Sequence, residues 1–156
     1  MALAKAGDKL PPIALTSPDG SAVSPADFMG KKLVLFFYPK DDTPGCTTEN
    51  KDFSALAADF AKAGTALLGI SKDPPAKHQK FIAKYDLTAP LASDAAEGGL
   101  SDALEFWGEK QNYGRTYMGM IRSTVLVAAD GTIARVWSPV KVKGHAEEVL
   151  AAAQGL

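Results

Sequence analysis

A chain of 156 residues, 46% hydrophobic and 22% charged, is the size and make-up of one ordinary globular domain, residues 1–156, that closes its own core. Seventeen basic against eighteen acidic residues leave a net charge of −1 with no basic cluster, so nothing points to nucleic acid or an anionic membrane. The one cysteine excludes an internal disulfide, and with two histidines it excludes a zinc cluster.

The opening residues interleave Lys5, Asp8 and Lys9 and lack the apolar core of a signal peptide, so a soluble, cytoplasmic protein is expected. Leu10–Val23 carries short apolar stretches around Ser17-Pro18-Asp19-Gly20, which predicts a hairpin. Ser24-Pro25 then starts a short helical turn. The run Lys32–Tyr38 is continuously apolar after its lysine and suits a central strand buried on both faces. Phe53, Leu56, Ala57 and Phe60 recur at helical spacing before Gly64. Thr65–Ser71 reads as a second buried strand, and Pro75–Leu87 as a helix with Phe81, Ile82 and Tyr85 inward.

From Asp94 to Tyr117 the pattern is weak; it predicts a short helix at Leu100–Phe106 followed by loop. Ser123–Ala128 and Thr132–Trp137 flank Ala129-Asp130-Gly131 as an antiparallel hairpin. A last helix spans Gly144–Gln154. The order is mixed α/β, matching a thioredoxin-like fold with a central mixed sheet, flanking helices and an N-terminal β-hairpin.

In open α/β sheets, sites collect beyond the carboxyl ends of strands. Here that junction reads Tyr38-Pro39-Lys40-Asp41-Asp42-Thr43-Pro44-Gly45-Cys46-Thr47-Thr48-Glu49. Thr43 suits an N-cap and Pro44 the first helical position, which puts Cys46 among the unpaired N–H groups of the first turn. Those donors favour thiolate, the nucleophilic form. Gly45 keeps bulk away from the sulfur. Taken alone, the stretch serves equally as ordinary helix-start punctuation, and the cysteine as buried filler or a chance surface thiol.

The pattern Pro39-x-x-x-Thr43-x-x-Cys46 resembles the active-site motif of peroxiredoxins, and the run Phe37–Glu49 resembles their bacterioferritin comigratory protein (PrxQ) branch. Weaker likeness continues at Arg122-Ser123-Thr124 and Val140–His145. The resemblance implies a thiol-dependent peroxidase without cofactor or metal. In it Cys46 is the peroxidatic nucleophile and Thr43 bonds the peroxide. Pro39 shields the pocket, and Arg122 is the cationic partner; Glu49, one turn beyond Cys46, reads from its position either as orienting Arg122 through a salt bridge or as part of a solvated helix face. The implied substrates are hydrogen peroxide and organic hydroperoxides, in a small pocket expected to be walled by Phe37, Tyr38 and Trp107.

Many members of that branch carry a second, resolving cysteine where this chain has Lys51. Five helical steps separate Cα atoms by roughly 8–9 Å, beyond the about 7 Å that a disulfide spans, so those members must unwind the helix. Here the oxidised thiol must be recycled by an outside thiol, namely a thioredoxin, a glutaredoxin or a low-molecular-weight thiol. The branch also implies a monomer or weak homodimer. Two other readings remain, a non-enzymatic peroxide sensor and a thiol–disulfide oxidoreductase on the same fold. Lys51, His78, Asp41 and Asp42 read as surface groups, His145 as structural, and Trp137 as core.

Overall fold

The computed structural model describes residues 4–95, 98–112 and 114–156. A seven-stranded mixed sheet has the order β2-β1-β5-β4-β3-β8-β9, built from β1 (Leu15–Thr16), β2 (Ala22–Val23), β3 (Lys32–Phe37), β4 (Thr65–Ser71), β5 (Leu91–Ser93), β8 (Ser123–Val127) and β9 (Ile133–Trp137). Strands β3, β4 and β5 run parallel, while β8 lies antiparallel to β3 with Phe37 opposite Ser123. A separate hairpin pairs β6 (Trp107–Asn112) with β7 (Arg115–Met120).

The alternation of β3 divides the core in two. Leu33, Leu35 and Phe37 join Leu68, Ile70, Phe106 and Val125 on one face. Val34, Phe36 and Tyr38 join Cys46, Phe53, Phe60, Phe81 and Val149 on the other. That second face is covered by α1 (Pro44–Ala55), α2 (Ala57–Lys62), α3 (Pro75–Tyr85) and α5 (His145–Gln154), whereas α4 (Leu100–Ala103) belongs to the first. Phe53 stacks on Phe36 with ring centroids 4.3 Å apart, which docks α1 on the strand that precedes it.

The expected hairpins, buried strands and helices are present, with three adjustments. The helix expected through Phe60 breaks at Leu56, whose N–H is shared between the Asp52 and Phe53 carbonyls. The next helix ends at Tyr85, because Asp86 turns left-handed with φ 51°. The loop expected after Phe106 is the β6–β7 hairpin: its residues 115–118 are all exposed, so its alternation has no apolar side to betray it. Ser24 caps the short 3-10 turn Pro25–Phe28 through a capping box with Asp27. Among the described residues no helix is long and apolar enough to cross a membrane.

Candidate active site

Thr43 stands at the N-cap of α1 in extended conformation, Pro44 follows it, and Cys46 lies in the first turn. Thr43 gives no side-chain cap; its hydroxyl instead donates to the Lys40 carbonyl at 2.8 Å. The N–H groups of Gly45 and Cys46 precede the first intrahelical bond, from Thr47 N–H to the Thr43 carbonyl, and so belong to the unpaired set at the positive end of the helix. The residues of α1 that are buried, Cys46, Glu49, Asn50 and Phe53, recur at i, i+3, i+4 and i+7 and make one inward stripe. Two of them are polar, so this helix carries chemistry inward as well as packing.

Arg122 immediately precedes β8. Because Ser123 is paired with Phe37, the guanidinium arrives at the carboxyl end of β3, beside the start of α1. Its Nη2 donates to Cys46 Sγ at 3.3 Å, and its Nη1 donates to Glu49 Oε1 at 2.6 Å. Cys46 is 1% exposed and Glu49 1%, so both contacts are shielded from water. Gly45 is what permits the approach: a Cβ there would stand 3.1 Å from Arg122 Nη2.

The electrostatics follow from this burial. Desolvation pushes the Glu49 carboxyl up to about 7, against the pull of Arg122. Its second oxygen, Oε2, has no hydrogen-bond partner among the described residues. Burial draws Arg122 down, but the charges of Glu49 and Cys46 outweigh it and hold the guanidinium above its usual value. A second cation, Lys110 of β6, donates to the Met120 carbonyl at 2.9 Å and is lowered by burial and by the nearby Arg122 charge, with Cys46 acting the other way. In a segment expected to be loop, this lysine carries no signal. Its place opposite Tyr117 in β6–β7 becomes visible only once the strands pair.

The structure thus brings Cys46, Thr43, Gly45, Glu49, Arg122 and half-buried Pro39 to one end of the sheet. The expected pocket wall is different. Phe37 points to the opposite face and packs edge-on against Phe106, and Tyr38 is fully buried in the core. Trp107 instead meets Lys72 over its ring at 5.3 Å. A groove of about 620 Å³ beside the helix start is lined by Pro44, Gly45 and Thr48 on one side and by Lys143, Gly144 and Glu147 on the other.

Two more expectations are corrected. His78 is completely buried, as α3 turns it inward against Asp41 and the Ala92 carbonyl, and Asp41 is buried with it. Asp42 is exposed and binds Lys84 at 2.8 Å and Tyr85 at 2.6 Å, holding a left-handed φ of 60°. Lys51 stays on the surface, its ammonium 4.8 Å above the Tyr85 ring. His145 is structural: its Nε2 meets Thr124 Oγ1 at 2.8 Å, and burial lowers it to about 4. Among the described residues no group of acidic, histidine or cysteine side chains could hold a metal.

Residues 6–136 match the AhpC/TSA family. Peroxiredoxin Bcp of Bacillus subtilis (strain 168) is 42% identical over 144 residues, spanning 92% of this chain and 91% of that protein. Its Escherichia coli (strain K12) counterpart is 38% identical over 146 residues, spanning 94% and 93%. The bacterioferritin comigratory protein of Xanthomonas campestris, studied for alkyl peroxide reduction, superposes with a TM-score of 0.87 at 39% identity, over 99% of this chain and 97% of that one. A cysteine-to-serine variant of PrxQ from Xylella fastidiosa gives 0.92 at 35% identity, over 99% and 98%. The thioredoxin-like architecture expected from the sequence is the one these structures share. The chain belongs to the AhpC/TSA family and is a thiol-dependent peroxidase of its Bcp/PrxQ peroxiredoxin branch.

Proposed function

We propose that Cys46 is the nucleophile that reduces hydrogen peroxide and organic hydroperoxides. The observation that carries this is the clamp on the sulfur: Arg122 reaches Cys46 Sγ with one amino group while Glu49 holds the other. A guanidinium and the first-turn N–H groups stand beside the sulfur, and the nucleophilic form of a cysteine is the thiolate. The thiolate attacks one oxygen of the O–O bond, a sulfur–oxygen bond forms, and the electron pair leaves on the other oxygen. Arg122 stabilises that charge as it develops. Protonation yields water or an alcohol, and Cys46 is left as a sulfenic acid.

Thr43 and Pro39 have supporting roles. The Thr43 hydrogen is spent on Lys40, so its oxygen is left to accept from the hydroperoxide O–H and orient it. Pro39, with no N–H, closes the pocket against water. Gly45 gives Arg122 its room, and Glu49 fixes the guanidinium plane.

The only cysteine in the chain has no internal partner. An external thiol must therefore condense with the sulfenic acid, releasing water, and a second thiol then frees Cys46 as a disulfide departs. That reductant is a thioredoxin, a glutaredoxin or a low-molecular-weight thiol, acting on a single-domain monomer or weak homodimer in the cytoplasm. A thiol–disulfide oxidoreductase would need the second cysteine this chain lacks. Steady-state peroxide consumption with each reductant class tests the reading. Turnover with at least one of them and none in Cys46→Ser is expected; peroxide consumption that survives Cys46→Ser would overturn it.

A further inference from the structure

The peroxide chemistry above makes no use of His78, yet α3 buries it fully. Both of its ring nitrogens face acceptors. Nε2 lies 3.1 Å from the Ala92 carbonyl oxygen on β5, and Nδ1 lies 2.6 Å from Asp41 Oδ2. A backbone carbonyl only accepts, so Nε2 carries a hydrogen. A neutral imidazole has no second N–H to offer. Were no proton present on the other side, two lone pairs would meet at 2.6 Å in a dry interior. The short contact therefore requires a proton between Nδ1 and Oδ2, whichever of the two atoms owns it.

The remaining valences of Asp41 are filled as well. Its Oδ1 accepts from the Tyr38 hydroxyl at 2.6 Å, and burial, with Asp41 close by, holds that phenol well above its ordinary value, so it stays a donor. The Asp41 N–H donates to Asp73 Oδ2 at 2.8 Å, and Ser71 Oγ donates to the same oxygen at 2.7 Å. Lys77 stands 3.7 Å from the other Asp73 oxygen. Asp41 sits two residues before Thr43, whose hydroxyl closes back on Lys40. The β3–α1 loop, which carries Pro39 and Thr43 and leads into Cys46, is thus fastened through the buried Asp41 carboxylate to α3 and, by way of His78, to β5, in addition to the exposed bonds of Asp42 to Lys84 and Tyr85 on α3.

We propose that His78 is a positioning residue for peroxide reduction: a proton-bearing Nδ1···Oδ2 bond to Asp41 fixes the β3–α1 loop and so aims Thr43 at the peroxide. The proposal rests on Cys46 being the attacking thiolate.

Two amide substitutions split the two bonds of the ring. In His78→Asn the amide nitrogen falls near Nδ1 and can still reach Asp41; in His78→Gln it falls near Nε2 and reaches only Ala92. Stopped-flow oxidation of Cys46 by hydrogen peroxide is expected to slow about ten- to a hundredfold in His78→Gln and to stay within about threefold in His78→Asn. Alkylation of Cys46 by iodoacetamide, which needs no aim from Thr43, is expected to change little in either. Equal losses in the two variants, or alkylation falling in step with peroxide reduction, would overturn the proposal as a merely structural effect. If neither variant folds, nitrogen-15-labelled wild-type enzyme decides it. A slowly exchanging, strongly downfield Nδ1 proton that shifts in Asp41→Asn supports the bond; absence of that proton overturns it. The Cys46→Ser control bears separately on the nucleophile, since the downfield proton is read without turnover.

Discussion

The side chain of Arg122 makes two demands that only a planar guanidinium meets together. One amino group binds Glu49 and the other binds the sulfur, in a fixed fork. A lysine has a single nitrogen on a flexible stem and cannot span both at once. Arg122→Lys should therefore slow Cys46 oxidation by about a hundredfold or more with the fold intact, as loss of one preplaced donor commonly does; stopped-flow fluorescence would check this. Gly45→Ala acts on the same contact from the other side. Its methyl meets Nη2 at 3.1 Å and moves the guanidinium off the sulfur, so a smaller loss is expected, on the order of tenfold.

At the scale of the element, α1 is held in its helical form along its buried stripe. Asn50 Nδ2 donates to the Cys46 carbonyl at 2.9 Å, and Phe53 is stacked on Phe36. Lys51 lies on another face, over Tyr85. A cysteine in its place would sit roughly 8–9 Å from Cys46 by Cα, too far for a disulfide while the helix stands. Lys51→Cys is expected to trap an intramolecular disulfide after one equivalent of peroxide, with a drop in helical circular dichroism on oxidation. Disulfide formation with unchanged helicity would show that α1 need not unwind for the two positions to be bridged.

This helix was also where the sequence was easiest to read. Thr43, Cys46 and Glu49 lie within two helical turns of each other in the chain, so local spacing places them together. Arg122 is 73 residues beyond Glu49 and comes near only because Ser123 pairs with Phe37 across β3 and β8. Here the family motif carried information that periodicity does not. Where no motif applies, surface patterning in the sequence misleads for physical reasons. Lys77 and Lys80 around His78 suggest a solvated face, but the ring sits one turn ahead of Phe81 among the inward positions of α3. Asp41 looks like a loop carboxylate until a partner 37 residues away is folded against it. The β6–β7 hairpin pairs mainly with itself and exposes Tyr117 and Met118, so it lacks the one-sided apolar pattern by which strands are recognised.

Across the whole molecule, two buried ionisable groups tie stability to pH in opposite directions. Glu49 has a folded value of about 7 against an ordinary 4.5. Between those values the native state holds a proton that the unfolded chain has released, so this group's contribution is fully present below 4.5 and is lost as pH rises through 7. His145 has a folded value of about 4 against 6.5. Between those values the unfolded chain holds the extra proton, so its contribution is present above 6.5 and is lost as pH falls through 4. His145 lies where α1, β8 and β9 converge on α5, edge-on to Phe53 and Trp137 and bonded to Thr124, so charging it strains several elements at once. In the wild type the two effects offset one another between about 4.5 and 6.5, which shallows the acid limb of the stability profile. Replacing either group by an amide exposes the other. Thermal melts of Glu49→Gln should show stability falling more steeply than wild type as pH drops from 7 to 4.5, whereas His145→Gln should hold its melting temperature or gain over the same interval. The double variant should return to a shallow profile, and parallel profiles for all four proteins would mean that neither group titrates as its burial requires.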